Sequence, residues 1–215
     1  CRDETGINGK RDGTETDVTA SVLGGTSSDP IVVGDYLSAD LYVDDGTLYL
    51  CDGYWYMKVV ITDPTSNVTV AGRNGWEYTT LTTGGVWGGS SGSIVAVSNA
   101  SLTLDGVDLY GGIGSDGEKG GAIVVEQTSG GATPATPNLT IRNSFVEGNF
   151  TQYGGAIAVL GYGWIALEDT LVMFNEAAVA GGGEWVQDRG TVTCEGSVLG
   201  EAGVVYNYSP LAGDV

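Results

Sequence analysis

Apolar and polar residues alternate in six short stretches of the chain: Leu48-Tyr49-Leu50, Val68-Thr69-Val70, Leu102-Thr103-Leu104, Leu139-Thr140-Ile141, Ile165-Ala166-Leu167 and Val192-Thr193-Cys194. A period of two places one set of side chains on the buried face of a β-strand and the other on its solvent face. A second apolar set, Leu109, Val146, Val172 and Leu199, follows about six or seven residues later in the last four copies. A third set closes the unit in Ser93–Val97, Ala122–Val125, Ala156–Val159 and Gly183–Val186. The first strands recur at steps of 20, 34, 37, 26 and 27 residues. The two long steps hold the Gly/Ser run Gly84–Gly92 and the Gly/Pro/Thr run Ser129–Pro137, which read as loop insertions. Three strands per unit, separated by Gly, Asn and Asp turns, predict a parallel β-helix whose rungs stack strand on like strand. A β-sandwich predicts hairpin turns instead of positions that recur in three registers. No helical period runs far enough to compete.

Gly120-Gly121-Ala122-Ile123 and Gly154-Gly155-Ala156-Ile157 resemble the GGA(I/L/V) motif of the polymorphic outer-membrane protein repeats. Val146–Asn149 and Val172–Asn175 stand where that family carries its FxxN motif, with Val in place of Phe, and a third GGA copy reads Gly181-Gly182-Gly183-Glu184. The stretch from about Pro30 to about Tyr208 is similar to right-handed β-helix repeat proteins of bacterial surfaces. The resemblance implies an extracellular β-helix used in adhesion or surface structure. It implies no catalytic residues, because the motifs are packing devices: Gly for a positive φ, Asn for a stacked turn ladder. The expected fold is all-β, a single right-handed parallel β-helix of about six to seven rungs. Residues 1–28 are expected to be a polar N-terminal arm or tether, 29–208 the β-helix and 209–215 a C-terminal tail. The apolar positions of the six alternating stretches, Cys194 included, are expected to line the core.

Composition narrows the function. With 27 acidic and 8 basic residues the 215-residue chain carries a net charge of −19, which argues against a nucleic-acid partner and against docking on an anionic membrane. The absence of His removes the commonest general base and metal ligand. Hydrophobic residues make up 41%, enough for a core, while 37 glycines demand frequent turning. The chain opens on Cys1 with neither Met nor signal peptide, and so reads as a processed or truncated product.

Candidate chemistry is sparse. Cys1, ahead of a polar spacer, is a candidate for lipidation, the one route by which a membrane enters the reading. Cys51 and Cys194 sit in the first and last aligned rungs, roughly 24 Å apart at ~4.8 Å per rung, too far for a disulfide within one solenoid. Cys1, Cys51 and Cys194 therefore remain candidates for an intermolecular bridge. No cofactor is expected. Calcium is a weak candidate on Asp44, Asp45, Asp52, Asp105, Asp108, Asp116 and Glu118, with a solvated acidic surface the favoured reading. Paired carboxylates raise polysaccharide hydrolysis or lysis as a distant alternative, poorly served by the few bases within the rungs. Trp55, Trp76, Trp87 and Trp164 are candidates for an exposed aromatic surface that binds a partner or a glycan. Asn67, Asn99, Asn138, Asn149 and Asn207 lie in N-x-S/T sequons and are candidate glycosylation sites. Glu184 falls in a core-facing slot, and a one-residue bulge there is expected to turn it outward and Trp185 inward. Bare terminal strands, marked by Ile31 and Val33 at one end and Val192 and Val205 at the other, predict head-to-tail association into a fibre. The combined expectation is an extracellular or cell-surface structural β-helix without enzymatic activity, assembling with itself, or else an adhesin that binds surface glycans.

Overall fold

The computed structural model describes residues 31–33, 47–50, 52–62, 64, 67–72, 74–83, 92–114, 119–128, 136–199 and 207–208. The arm 1–28, the tail 209–215, Cys1, Cys51, Trp87 and Val205 lie outside the described residues, as do the side chains of Ile31, Val33 and Asn67. Among the described residues there are nineteen strands and no helix.

The strands follow one another as β1 (Ile31–Val33), β2 (Thr47–Leu50), β3 (Gly53–Ile61), β4 (Asn67–Gly72), β5 (Thr79–Thr82) and β6 (Val95–Ser98). Next come β7 (Ser101–Asp105), β8 (Asp108–Tyr110), β9 (Ile123–Gln127), β10 (Leu139–Arg142), β11 (Phe145–Glu147), β12 (Phe150–Tyr153) and β13 (Ile157–Gly161). The chain ends in β14 (Trp164–Glu168), β15 (Leu171–Met173), β16 (Glu176–Ala180), β17 (Glu184–Val186), β18 (Thr191–Glu195) and β19 (Val198–Leu199).

Every strand pair is parallel. A six-stranded sheet runs β2-β4-β7-β10-β14-β18, and β12 pairs with β16 alone. The remaining strands form one strongly curled eleven-stranded sheet. Its bend is β3, nine residues long. The first half of β3 pairs with β5, at Gly53↔Thr79 to Tyr56↔Thr82, and the second half with β6, at Val59↔Val95 to Ile61↔Val97. The sheet thus has two limbs, a first of β6, β9, β13 and β17 and a second of β5, β8, β11, β15 and β19. The chain visits the six-stranded sheet, the second limb, the first limb and then the six-stranded sheet again, a solenoid-like path.

The inward rows are those the alternation picks out. Val68, Leu102, Leu139 and Ile165 stack in register, as do Val70, Leu104, Ile141 and Leu167. Leu109, Val146 and Val172 align in the second limb, and Val95, Ile123 and Ile157 in the first. All are buried in one core, and each such side chain contributes about 1.5–3 kcal/mol by leaving water. Corners repeat too: Gly106, Asn143, Asp169 and Gly196, one residue beyond successive strands of the six-stranded sheet, all have positive φ. In the GGA copies the second glycine is required by stacking. A Cβ on Gly121 would run into the Gly155 carbonyl, and one on Gly155 into that of Gly182.

Four expectations are corrected. Leu48 aligns with Val70, not Val68, a slip of two residues that keeps the same face inward. Glu184 is not turned out by a bulge: it stands opposite Ile157, with Trp185 opposite Ala158. The extra residue is absorbed upstream, where the register of β12 and β16 shifts between Thr151↔Ala177 and Tyr153↔Ala180. Trp185 accordingly lies against Tyr153, ring centroids 5.1 Å apart. Trp55 is 1% exposed and belongs to the core, because alternation along β3 turns it inward with Met57, Val59 and Ile61. Cys194 keeps its register opposite Leu167 yet is exposed, since no described strand pairs with β18 on its other edge.

Candidate binding groove

The outer face of the first limb carries a row of small apolar residues. Val60 pairs with Ala96, Ala96 with Val124 and Val124 with Ala158, so the row crosses four neighbouring strands. Strands at ~4.8 Å spacing make this a strip of roughly 14 Å along the stack. One hollow lies over it and a second adjoins the first. One, of about 440 Å³, is lined by Lys58, Val60, Ala96, Lys119, Val124 and Leu160, with Gly92 and Ser93 at its rim. The other, of about 550 Å³, shares Lys119 and Leu160 and extends past Gln127 and Tyr162 to Arg189. The two hollows meet at Lys119 and Leu160 and together make up the groove of this face.

Local chemistry fixes its walls. The Lys119 ammonium donates to the side-chain oxygen of Gln187. The Arg189 guanidinium lies over the Tyr162 ring, 5.5 Å from its centroid, a cation–π arrangement that holds both side chains. Glu126 and Asp188 also line the Arg189 end, whereas no acid is among the described residues that line the Lys58 end. Lys58, Lys119 and Arg189 are three of the four described cations; the fourth, Arg142, binds Asp105 at 2.9 Å on the six-stranded sheet.

The second limb turns out different chemistry. Thr80, Asp108 and Phe145 form one outer row. Asp108 is only 9% exposed, accepts from the Thr80 hydroxyl at 3.2 Å on one oxygen and has no hydrogen-bond partner for the other. Burial first, and then the negative charge of Glu147, push its carboxyl up to about 7 against the lowering effect of Thr80. Burial also raises the Glu147 carboxyl. Trp76 packs beside this row on Phe145, centroids 5.0 Å apart.

The residues singled out in the sequence are scattered. Trp55 is in the core, Trp76 is on the second limb, and Trp164 donates from its indole to the Thr193 hydroxyl on the six-stranded sheet. They make no common surface. Of the other candidate calcium ligands, Asp44, Asp45, Asp116 and Glu118 lie outside the described residues, Asp52 accepts from Asn74 and Asp105 from Arg142 and Asn143, and the described residues contain no cluster of three metal-ligating side chains.

Three sequon asparagines are structural. Asn149, 1% exposed, donates to the Leu109 carbonyl and to the Asn175 side chain; Asn175 donates in turn to Asn207, and Asn207 to the Val172 carbonyl. This ladder ties successive turns together through amide groups that a glycan would displace. Asn138 is likewise buried, donating to Ala100 and Gln127. Asn99, part-buried, accepts from the Thr128 amide.

Burial, then the nearby charge of Glu184, raise the Cys194 thiol above its ordinary range. β2 and β18 stand at opposite edges of the six-stranded sheet. The groove itself was not among the sequence candidates. Its only signal was the rarity of cations in an acidic chain, since Lys58, Lys119 and Arg189 are far apart in sequence and follow no motif. The chain matches no protein-family model, no curated protein and no solved structure.

Proposed function

We propose that the chain is a single right-handed parallel β-helix, akin to the polymorphic outer-membrane protein repeats, that works outside the cell or on its surface as a non-enzymatic module binding a glycan in the groove of the first limb. The observation that carries this reading is the pair of hollows that adjoin at Lys119 and Leu160, one lined by apolar Val60, Ala96 and Val124 and the other by Gln127, Tyr162 and Arg189. Sugars present both kinds of surface: C–H faces for an apolar floor and hydroxyls for polar walls. Buried Asp108 and half-buried Glu147, whose carboxyls are raised, stand on the other limb, away from the groove. A glycan array followed by incubation with the retained polysaccharides tests the reading. Retention without product release, abolished by Ala96→Trp in a protein with unchanged far-UV circular dichroism, is the expected result. Product release, or no retention on any glycan, overturns it.

A second reading, end-to-end association, is supported by the contrast between buried Ile165 and Leu167 and their partners in β18, half-buried Val192 and exposed Cys194. Unpaired edge groups on such a strand template another strand. Light scattering is expected to show concentration-dependent growth that Val192→Lys removes. A monodisperse monomer at high concentration overturns this second reading.

A further inference from the structure

We propose that Asn74-Gly75, in the corner between β4 and β5, is a self-modification site at which the asparagine converts to aspartate and isoaspartate, and that Asp52 restrains the conversion. The proposal is independent of the glycan reading. Sequence supplies the first argument. Among the described residues Asn74 is the one asparagine that precedes a glycine; Asn138, Asn149 and Asn175 precede Leu139, Phe150 and Glu176. The reaction brings the next backbone nitrogen onto the side-chain amide carbon, an intramolecular attack that a side chain on the next residue obstructs.

The corner supplies the second argument. Asn74 is exposed, and nothing stands within 4 Å of where a Cβ on Gly75 would be, so the site is open to water. Gly75 has a φ of 97°, a backbone conformation that glycine adopts freely. Its N–H donates to the Gly72 carbonyl at 3.4 Å, beyond the usual range of about 2.7–3.2 Å, so the attacking nitrogen is loosely held. The Asn74 amide nitrogen, the leaving group, donates to both oxygens of Asp52 at 2.9 and 3.1 Å. Ring closure draws this amide toward its own backbone and costs these charge-assisted bonds.

The atoms balance with water alone. The Gly75 nitrogen gives its proton to solvent hydroxide and attacks Cγ of Asn74; the bond from Cγ to Nδ2 breaks, and Nδ2 takes a proton from water and leaves as ammonia. Water then opens the cyclic imide. Cleavage at Cγ gives aspartate. Cleavage at the backbone carbonyl gives isoaspartate, whose main chain runs through Cβ and Cγ. Either product turns a donor facing Asp52 into a second carboxylate, and like charges repel. Isoaspartate also lengthens the main chain in a corner that is closely stacked, since a Cβ on Gly106 would lie 3.2 Å from the Gly75 Cα. The next residue, Trp76, packs on Phe145, so conversion loosens the cover of the second limb.

Purified protein held in mildly alkaline buffer at body temperature, then digested and sequenced by electron-transfer mass spectrometry, tests this. Asn74 is expected to gain the mass difference between a hydroxyl and an amino group, as both aspartate and isoaspartate, and faster as pH rises. Asn74→Gln keeps an amide for Asp52 but would have to close a larger ring, and is expected to stay unmodified at that position. Asp52→Ala, with unchanged circular dichroism, is expected to speed conversion about three- to tenfold. Asp52→Asn, which keeps an acceptor without the charge, is expected to speed it less. Asn8-Gly9, outside the described residues, shares the dipeptide and is the internal control whose rate both Asp52 variants leave alone. In an Asn8→Gln background, the converted form isolated by anion exchange is expected to melt at a lower temperature than the unconverted one. An Asn74 that stays intact in both wild type and Asp52→Ala overturns the site. Equal Asn74 rates in wild type and both Asp52 variants overturn the restraint, and equal melting of the two forms overturns the loosening.

Discussion

The first and second limbs of the curled sheet bury the same kind of row and expose opposite chemistry. Inward, Val95, Ile123 and Ile157 on one limb match Leu109, Val146 and Val172 on the other. Outward, the first limb shows a small apolar strip edged by lysines, and the second a buried acid between a threonine and a phenylalanine. Inward positions are held alike because each must fill one narrow core. Outward positions answer only to their neighbours across the stack, so they are free to diverge, and any ligand chemistry has to arise there.

The largest effect tests the shared half of this comparison. Ile123→Asp on the first limb and Val146→Asp on the second put a charge at fully buried positions, and each should cost about 4 kcal/mol or more and abolish cooperative folding. Denaturant titration showing one limb tolerant would break the equivalence.

Next in size is the corner that leaves the second limb. Asn175 is buried and bonds to Asn149, Asn207 and the Val146 carbonyl, so Asn175→Ala strands several partners at once and should cost about 3 kcal/mol. The corner that leaves the first limb has Asn99, Gly161 and Asp188 at the matching positive-φ positions. Asp188 is exposed, and Asp188→Gly there should change stability by no more than about 0.5 kcal/mol.

Acids separate the limbs more finely. Because the Asp108 carboxyl is raised to about 7 in the folded protein, the folded state keeps a proton that the unfolded chain releases between about pH 4 and 7. Stability is therefore greatest below the unfolded value, falls as pH rises and levels off above about 7. Asp108→Asn retains an acceptor for Thr80 and should stabilise the protein by about 1–3 kcal/mol at pH 8 and by almost nothing at pH 4. Glu126→Gln on the exposed first-limb face should change stability by less than about 0.5 kcal/mol at either pH. Thermal melts of both variants across this range would reveal whether the asymmetry holds. The smallest effect on stability is expected from Lys58→Gln and Lys119→Gln, within about 0.5 kcal/mol.

Much of the inward architecture can be read directly along the chain. Leu102, Leu139 and Ile165 declare their strands by alternation, and the same spacing aligns Leu109, Val146 and Val172 without any knowledge of the fold. The paired glycines and the asparagines after Val146 and Val172 announce the tight corners and the ladder that Asn149 and Asn175 form. These signals are local: whether a side chain faces in or out depends on residues one or two positions away.

Tertiary structure decided the rest. A slip of two residues at Leu48 leaves the inward pattern unchanged, so only pairing with Val70 reveals it. The extra residue before Glu184 can be placed anywhere between Asn175 and the glycine run as far as the count is concerned, and the pairing of β12 with β16 puts it upstream. Trp55 looks like one of several aromatics in a cluster until β3 is seen to turn the corner between both limbs with Trp55 inside. The groove depends wholly on stacking, which sets Lys58, Lys119 and Arg189 along one face although 131 residues of chain separate the first from the last, at positions 58 and 189. Alternation along a strand specifies which way each residue points; which outward residues become neighbours is set by the register between turns, and that register is fixed by the packing of the whole core.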